Sequence, residues 1–170
     1  VGVSYQTMSF SKKWQSEVEE LALHDYKWIA RFKGDWLKEL NKVKLTNNFK
    51  VQGIWKIMLD KLGMEHTEQV FHTQYPDTLL KLSIDRFYKE KYESNKIGRF
   101  FIFVEDWKPG HFLNYKRWRK GDIVQFDTPI IPHHSTNRGN SSLCLIQCSG
   151  IITQVTKDLV LEKNENIIKI

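Results

Sequence analysis

The feature that most constrains this chain is its punctuation after residue 63. From Glu68 onward, short β-prone runs are separated by Tyr75-Pro76-Asp77, Glu93-Ser94-Asn95, Lys108-Pro109-Gly110, Gly121-Asp122 and Asn137-Arg138-Gly139. Glycine, proline and asparagine in such clusters end regular structure and start turns. The predicted strands cover residues 69–73, 78–84, 99–105, 123–127, 143–149 and 151–155. Residues 159–163 and 167–170 read as edge strands or as a tail. Many short strands of this kind predict a sandwich, jelly roll or barrel.

Before Gly63 the apolar period is helical. A first helix is predicted over residues 10–23, with Ser11 as cap and Trp14, Val18, Leu21 and Ala22 on one face. A second is predicted over 26–43, with Trp28, Ile29, Phe32, Trp36, Leu37 and Leu40 as its stripe and Gly34 weakening its middle. A third covers 51–62, with Ile54, Trp55, Met58 and Leu62 inward and Gly63 at its C-cap. Aromatics at this spacing are read as core. Helices first and strands later predict an α+β fold. The 170 residues suit one domain, 1–170, with 10–63 as helical support, 68–155 as β core and 156–170 as edge strands or tail.

The net charge of +6 favours anionic partners without choosing among them. Cys144 and Cys148 lie on one predicted strand, roughly 13 Å apart at the usual rise. A disulfide needs Cα atoms within about 7 Å, so the thiols are expected to stay unpaired on one face, with Ile146 between them. That fits a reducing, cytoplasmic compartment. No stretch is long enough for a membrane-spanning helix, so no membrane partner is expected, and no signal-peptide pattern is visible.

The stretch from Trp118 to Gly139 reads as a hairpin. Gly121-Asp122 turns the chain into the strand at 123–127, Pro129 and Pro132 bar regular structure, and His133-His134 sit in the loop before the next strand. Taken alone, the two histidines are ordinary loop residues.

The order and spacing of several motifs resemble a known family. These are Gln74-Tyr75-Pro76, Ser83-Ile84-Asp85, Arg99 to Trp107 with Pro109-Gly110, Trp118-x-x-Gly121-Asp122, Pro132-His133 with Asn137 and Gly139, and Gln147-Cys148-Ser149-Gly150. Together they resemble the iron(II)- and 2-oxoglutarate-dependent oxygenases of the double-stranded β-helix (jelly roll, cupin-like) fold. The similarity is greatest to aspartyl/asparaginyl β-hydroxylase-like proteins and phage and marine microbial members, and it spans roughly residues 68–150. The resemblance implies a β-helix core with N-terminal supporting helices. It implies Fe(II) held by two histidines and a carboxylate, with 2-oxoglutarate as co-substrate. Carried over, the metal ligands are Asp85 and His133, and Gln74, Asn137 and Arg99 are candidates for binding the cofactor.

The chain departs from that pattern twice. Ser83 stands at the first histidine, and a neutral hydroxyl is a weak ligand for a divalent ion. His72 or His111 are the possible substitutes. Where the family places an arginine on the far carboxylate of 2-oxoglutarate, this chain reads Ser142-Leu143-Cys144. Arg99 alternates with Phe101 and Phe103, and would replace that anchor if their face points inward; the plainer reading is a salt bridge at a strand start. For Asp85 the plainer reading is a local pair with Arg86 or a turn acid.

Three functions follow. One is an oxygenase hydroxylating an amino-acid side chain or small molecule. The second is a non-catalytic cupin-like binding protein with a degenerate metal site and no cofactor, its partner a small molecule or peptide. The third is single-stranded nucleic-acid binding through Lys116, Arg117, Trp118, Arg119 and Lys120, against which stands a solvated flank with Trp118 packed beneath. No nucleophile elbow, phosphate loop or zinc-type cysteine cluster is present.

Overall fold

The computed structural model describes residues 3–4, 26–43, 49–82, 96–113, 117–126, 133–161 and 166–170; for 3–4, 26, 79–82, 112 and 133–136 it describes the backbone alone. The strands are β1 (Val3–Ser4), β2 (Tyr26–Lys33), β3 (Met64–Gln74), β4 (Thr78–Leu82), β5 (Ile97–Phe103), β6 (His111–Leu113), β7 (Asp122–Phe126), β8 (His133–Asn137), β9 (Leu143–Ile152) and β10 (Ile167–Lys169). The described helices are α1 (Trp36–Lys42), α2 (Gly53–Leu62) and α3 (Gln154–Leu161). The chain is thus a mixed α+β fold. Among the described residues, no helix is long and apolar enough to cross a membrane.

Six strands form one sheet in the order β10-β2-β7-β5-β9-β3, and four form another in the order β1-β4-β8-β6. Among the described residues only the β10–β2 pair is parallel. The three helices cover one face of the large sheet. There Trp36 and Leu40 of α1 and Trp55, Met58, Leu59 and Leu62 of α2 bury against Phe32, Phe100, Ile102, Ile123, Ile146 and Cys148. The other face carries Phe101, Phe103, Val124, Phe126, Leu143 and Leu145, and Leu113 of the small sheet joins that cluster. All seven residues of β5 are buried. A strand covered on both faces reads as a continuous apolar run, which is why Ile97–Phe103 shows no polar alternation.

The predicted helix over 26–43 is corrected: residues 26–33 are strand β2, and only Trp36–Lys42 is helical. The cause is a β-bulge. Trp28 pairs with Val124 and Ala30 with Ile123, so Ile29 is an inserted residue. Ile29, Ala30 and Phe32 therefore all reach the helix-covered core, and a strand shows the three-residue spacing of a helix. The predicted strand at 151–155 and edge strand at 159–163 are also corrected. The strand beginning at Leu143 runs on to Ile152, and helix α3 follows. Val155 and Val160 lend that helix a β-like composition, but Thr156 Oγ1 fixes it by donating to Leu62 O at 2.7 Å. The hairpin is corrected as well: β5 lies between β7 and β9, and His133-His134 open a strand of the small sheet. The predicted helix at 10–23 lies outside the described residues.

Two glycines do what their positions require. Gly63 caps α2 in the left-handed region at φ 73°, as expected. Gly121, at φ 86°, lies so close to β2 that a Cβ would collide with Phe32 O. Its N–H donates to Phe103 O at 2.7 Å and its carbonyl accepts from Phe32 N at 2.9 Å. The turn before β7 is thereby held to both β2 and β5. Gly121→Ala is expected to lower the unfolding free energy by about 2 kcal/mol or more, since it adds left-handed strain to a backbone collision. Urea denaturation measures this, and an unchanged midpoint contradicts it.

Candidate functional site

The inward face of the large sheet divides into an apolar and a polar part. Strand alternation puts Leu143, Leu145, Gln147 and Ser149 of β9 on that face, with Arg99, Phe101 and Phe103 of β5 beside them. Leu143, Leu145, Phe101 and Phe103 form the apolar part with Trp118. Arg99 and Ser149, which are Cα partners, form the polar part together with Gln147 and His72. Arg99 is 4% exposed, so its guanidinium is held inside the protein. That agrees with its alternation with Phe101 and Phe103.

His72 Nε2 lies 2.9 Å from Gln147 Oε1 across the β3–β9 pair. With Nε2–H donating, Nδ1 keeps its lone pair. Burial lowers the His72 pKa from its ordinary 6.5, against the opposing pull of the Gln147 bond. An unfolded chain binds a proton at this ring more readily than the folded one. The stability it contributes is therefore full above about pH 6.5 and is lost as the pH falls through the lowered folded value. Unfolding free energy is expected to fall on acidification from pH 7 to 5 more steeply than in a His72→Gln variant, as urea melts across that range will show. Parallel slopes would refute it.

His111, Asn137 and Gln74 meet at the corner where β8 turns into β9. Asn137 is fully buried, and its Nδ2 donates to Gln74 O at 2.9 Å and Ser141 O at 2.8 Å. Its Oδ1 accepts from Gly139 N at 2.9 Å. His111 Nε2 lies 2.9 Å from Ser141 O, and Gln74 Nε2 donates to Thr78 O at 2.7 Å. The Asn137 and His111 side chains hold the 138–142 turn to β3 and β6, and the Gln74 side chain closes the turn between β3 and β4. Leu143, where the resemblance expects the co-substrate arginine, is 2% exposed within the apolar part.

Ser83, Asp85 and Lys116 lie outside the described residues. His133 is placed by its backbone, its Cα paired with that of Leu82 in β4. Among the described residues, no three His, Cys, Asp or Glu gather closely enough to hold a metal ion. Of the basic segment, Arg117 lies over the Trp107 ring at 5.3 Å, and Trp118 is 2% exposed and stacked on Phe103 at 4.4 Å. A ring so buried offers no face to a base. The thiols are both free; Cys148 is fully inside, and burial pushes its pKa far up.

Sequence reasoning passed over the role of Asp122. Its Oδ1 accepts from Trp28 Nε1 at 3.0 Å and Arg31 Nε at 2.7 Å, and its Oδ2 from Arg119 N at 2.7 Å. The Gly-Asp pair signalled a turn, but not the two β2 side chains that the turn would meet.

No family model and no curated protein sequence matches this chain. Among solved structures it is similar to a prolyl-4-hydroxylase from Pseudomonas putida, at 15% identity and a TM-score of 0.48, over 81% of this chain and 98% of that one.

Proposed function

We propose that the chain is an iron(II)- and 2-oxoglutarate-dependent oxygenase-like protein that binds 2-oxoglutarate between its two sheets and acts on an amino-acid side chain or small molecule. The observation that carries this reading is the position of Arg99, a buried guanidinium on the inward face of the large sheet. The planar fork of a guanidinium matches a carboxylate in two parallel hydrogen bonds.

The β4–β8 register supports it. Leu82, which precedes Ser83 and stands three residues before Asp85 in sequence, is the Cα partner of His133. His133 is also in phase with the buried Asn137 along β8, and His134 is not. The chain passes from Asn137 to Leu143 through one short turn.

The donor set fits iron in part. Asp85 and His133 would hold it, and Ser83 leaves the third protein position weak; His72, neutral and with Nδ1 unprotonated, is the third donor we assign. Iron, when bound, supplies the activation of oxygen, coupled to decarboxylation of 2-oxoglutarate. Arg99 would orient the co-substrate by its far carboxylate, beside the apolar cluster of Phe101, Phe103 and Leu145.

Anaerobic titration with iron(II) and 2-oxoglutarate is expected to produce a visible charge-transfer band, and admission of oxygen to produce succinate. No band and no succinate would overturn the oxygenase reading. If 2-oxoglutarate then binds without metal, and Ser83→His creates metal binding, the chain is the non-catalytic relative; the apolar setting of Leu143 favours this second reading.

A further inference from the structure

A cationic site lies at the end of β2. Three segments remote in sequence meet there: residues 31–36, Asp106, and the 119–120 turn. The bonds of Gly121 to Phe32 and Phe103 bring them together, and Lys120 N donates to Asp106 Oδ1 at 2.9 Å. They enclose an open cavity of about 300 Å³ whose charged lining is Arg31, Lys33, Arg119 and Lys120 against Asp106 alone.

The nearby carboxylate of Asp122 pairs with Arg31 and offsets that one charge, leaving Lys33, Arg119 and Lys120. Its oxygens are occupied by Trp28, Arg31 and the Arg119 main chain. Among the described residues, Lys33, Arg119 and Lys120 form no ion pair, and all three are exposed. Like charges held around one cavity repel one another, and an anion placed among them relieves that repulsion. Arg119 supplies a guanidinium fork and Lys33 and Lys120 supply ammonium points, as a phosphate with several oxygens requires. The volume is at the small end for ligand pockets.

We propose that this cavity binds a compact phosphate group, such as the diphosphate of a small phosphorylated molecule. An extended single strand suits it less, because such partners add base stacking to charge. Here Trp118 and Trp36 are buried, and the Trp107 ring lies beneath Arg117 with its Nε1 donating to His111 O at 2.8 Å.

Calorimetric titration of the whole chain with pyrophosphate at low ionic strength tests the proposal. Binding is expected, with affinity at least tenfold weaker in a Lys33→Glu/Lys120→Glu variant and unchanged in Lys61→Glu on α2. A short oligothymidylate without terminal phosphates is expected to bind at least tenfold more weakly than pyrophosphate. The single variants Lys33→Gln and Lys120→Gln, each expected to weaken binding several-fold, decide the matter if the charge-reversed chain does not fold. Absence of pyrophosphate binding, equal binding by folded variants, or tighter binding of the oligothymidylate overturns the proposal.

Discussion

Asp122→Ala is expected to lower the unfolding free energy by about 3 kcal/mol, the low end for removing one partner of a buried ion pair. The low end applies because Arg31 is 21% exposed and can turn to water, whereas Asp122 is 4% exposed and cannot. The loss also strands the Trp28 indole N–H and the Arg119 main-chain N–H, which have Asp122 as acceptor. Asp122→Asn, which keeps the shape and one carbonyl oxygen, is expected to lose less. Guanidinium denaturation of both variants measures the difference. If Asp122→Ala unfolds at the wild-type midpoint, the carboxylate is not what joins β2 to β7.

Arg99→Met is expected to weaken 2-oxoglutarate binding by about thirtyfold or more. Removing one partner of a buried, hydrogen-bonded charge pair costs about 2–5 kcal/mol, and each 1.4 kcal/mol is about tenfold in affinity. Lys96→Met, at an exposed position just before the same strand, is expected to bind as the unaltered chain does. Near-ultraviolet circular dichroism separates a lost anchor from a lost fold, because Arg99 shares its face with Phe101 and Phe103. A folded Arg99→Met chain that binds 2-oxoglutarate normally would place the anchor elsewhere.

The parts legible in the sequence were those decided within a few residues. Gly63 ends a helix because a left-handed residue is needed there, and only glycine adopts it without strain. Gly121-Asp122 makes its turn through a bond from Asp122 N to Arg119 O at 2.9 Å, wholly local. The core strands at 97–103 and 122–126 were found to within two residues, since β-branched and aromatic runs between breakers are a local signal. The same local signal misled at 26–33, where one inserted residue gave a strand the spacing of a helix. It misled again at 154–161, where two valines masked a helix secured by Thr156 reaching back to Leu62.

The candidate site was legible only in outline. The alternation of Arg99 with two phenylalanines predicted a shared face, and burial shows that the face points inward. Nothing in the spacing announced the His72–Gln147 bond, because the two residues, 75 apart in sequence, are brought diagonally together by the β3–β9 register that sets His72 opposite Leu145. The cationic cavity was half visible as the basic run at 115–120, but its other wall comes from β2.

By itself, then, the order of residues determined where several turns fall, that the runs at 97–103 and 122–126 extend, and that Cys144 and Cys148 stay apart on one face around Ile146. These follow from steric limits and strand geometry over a handful of bonds. Only the tertiary structure decided that β5 separates β7 from β9, that the histidine strand joins the small sheet, and that Arg99 lies buried beside Ser149. Those outcomes depend on which arrangement buries the most apolar surface from distant segments while leaving every backbone donor a partner, a condition that no short stretch can express.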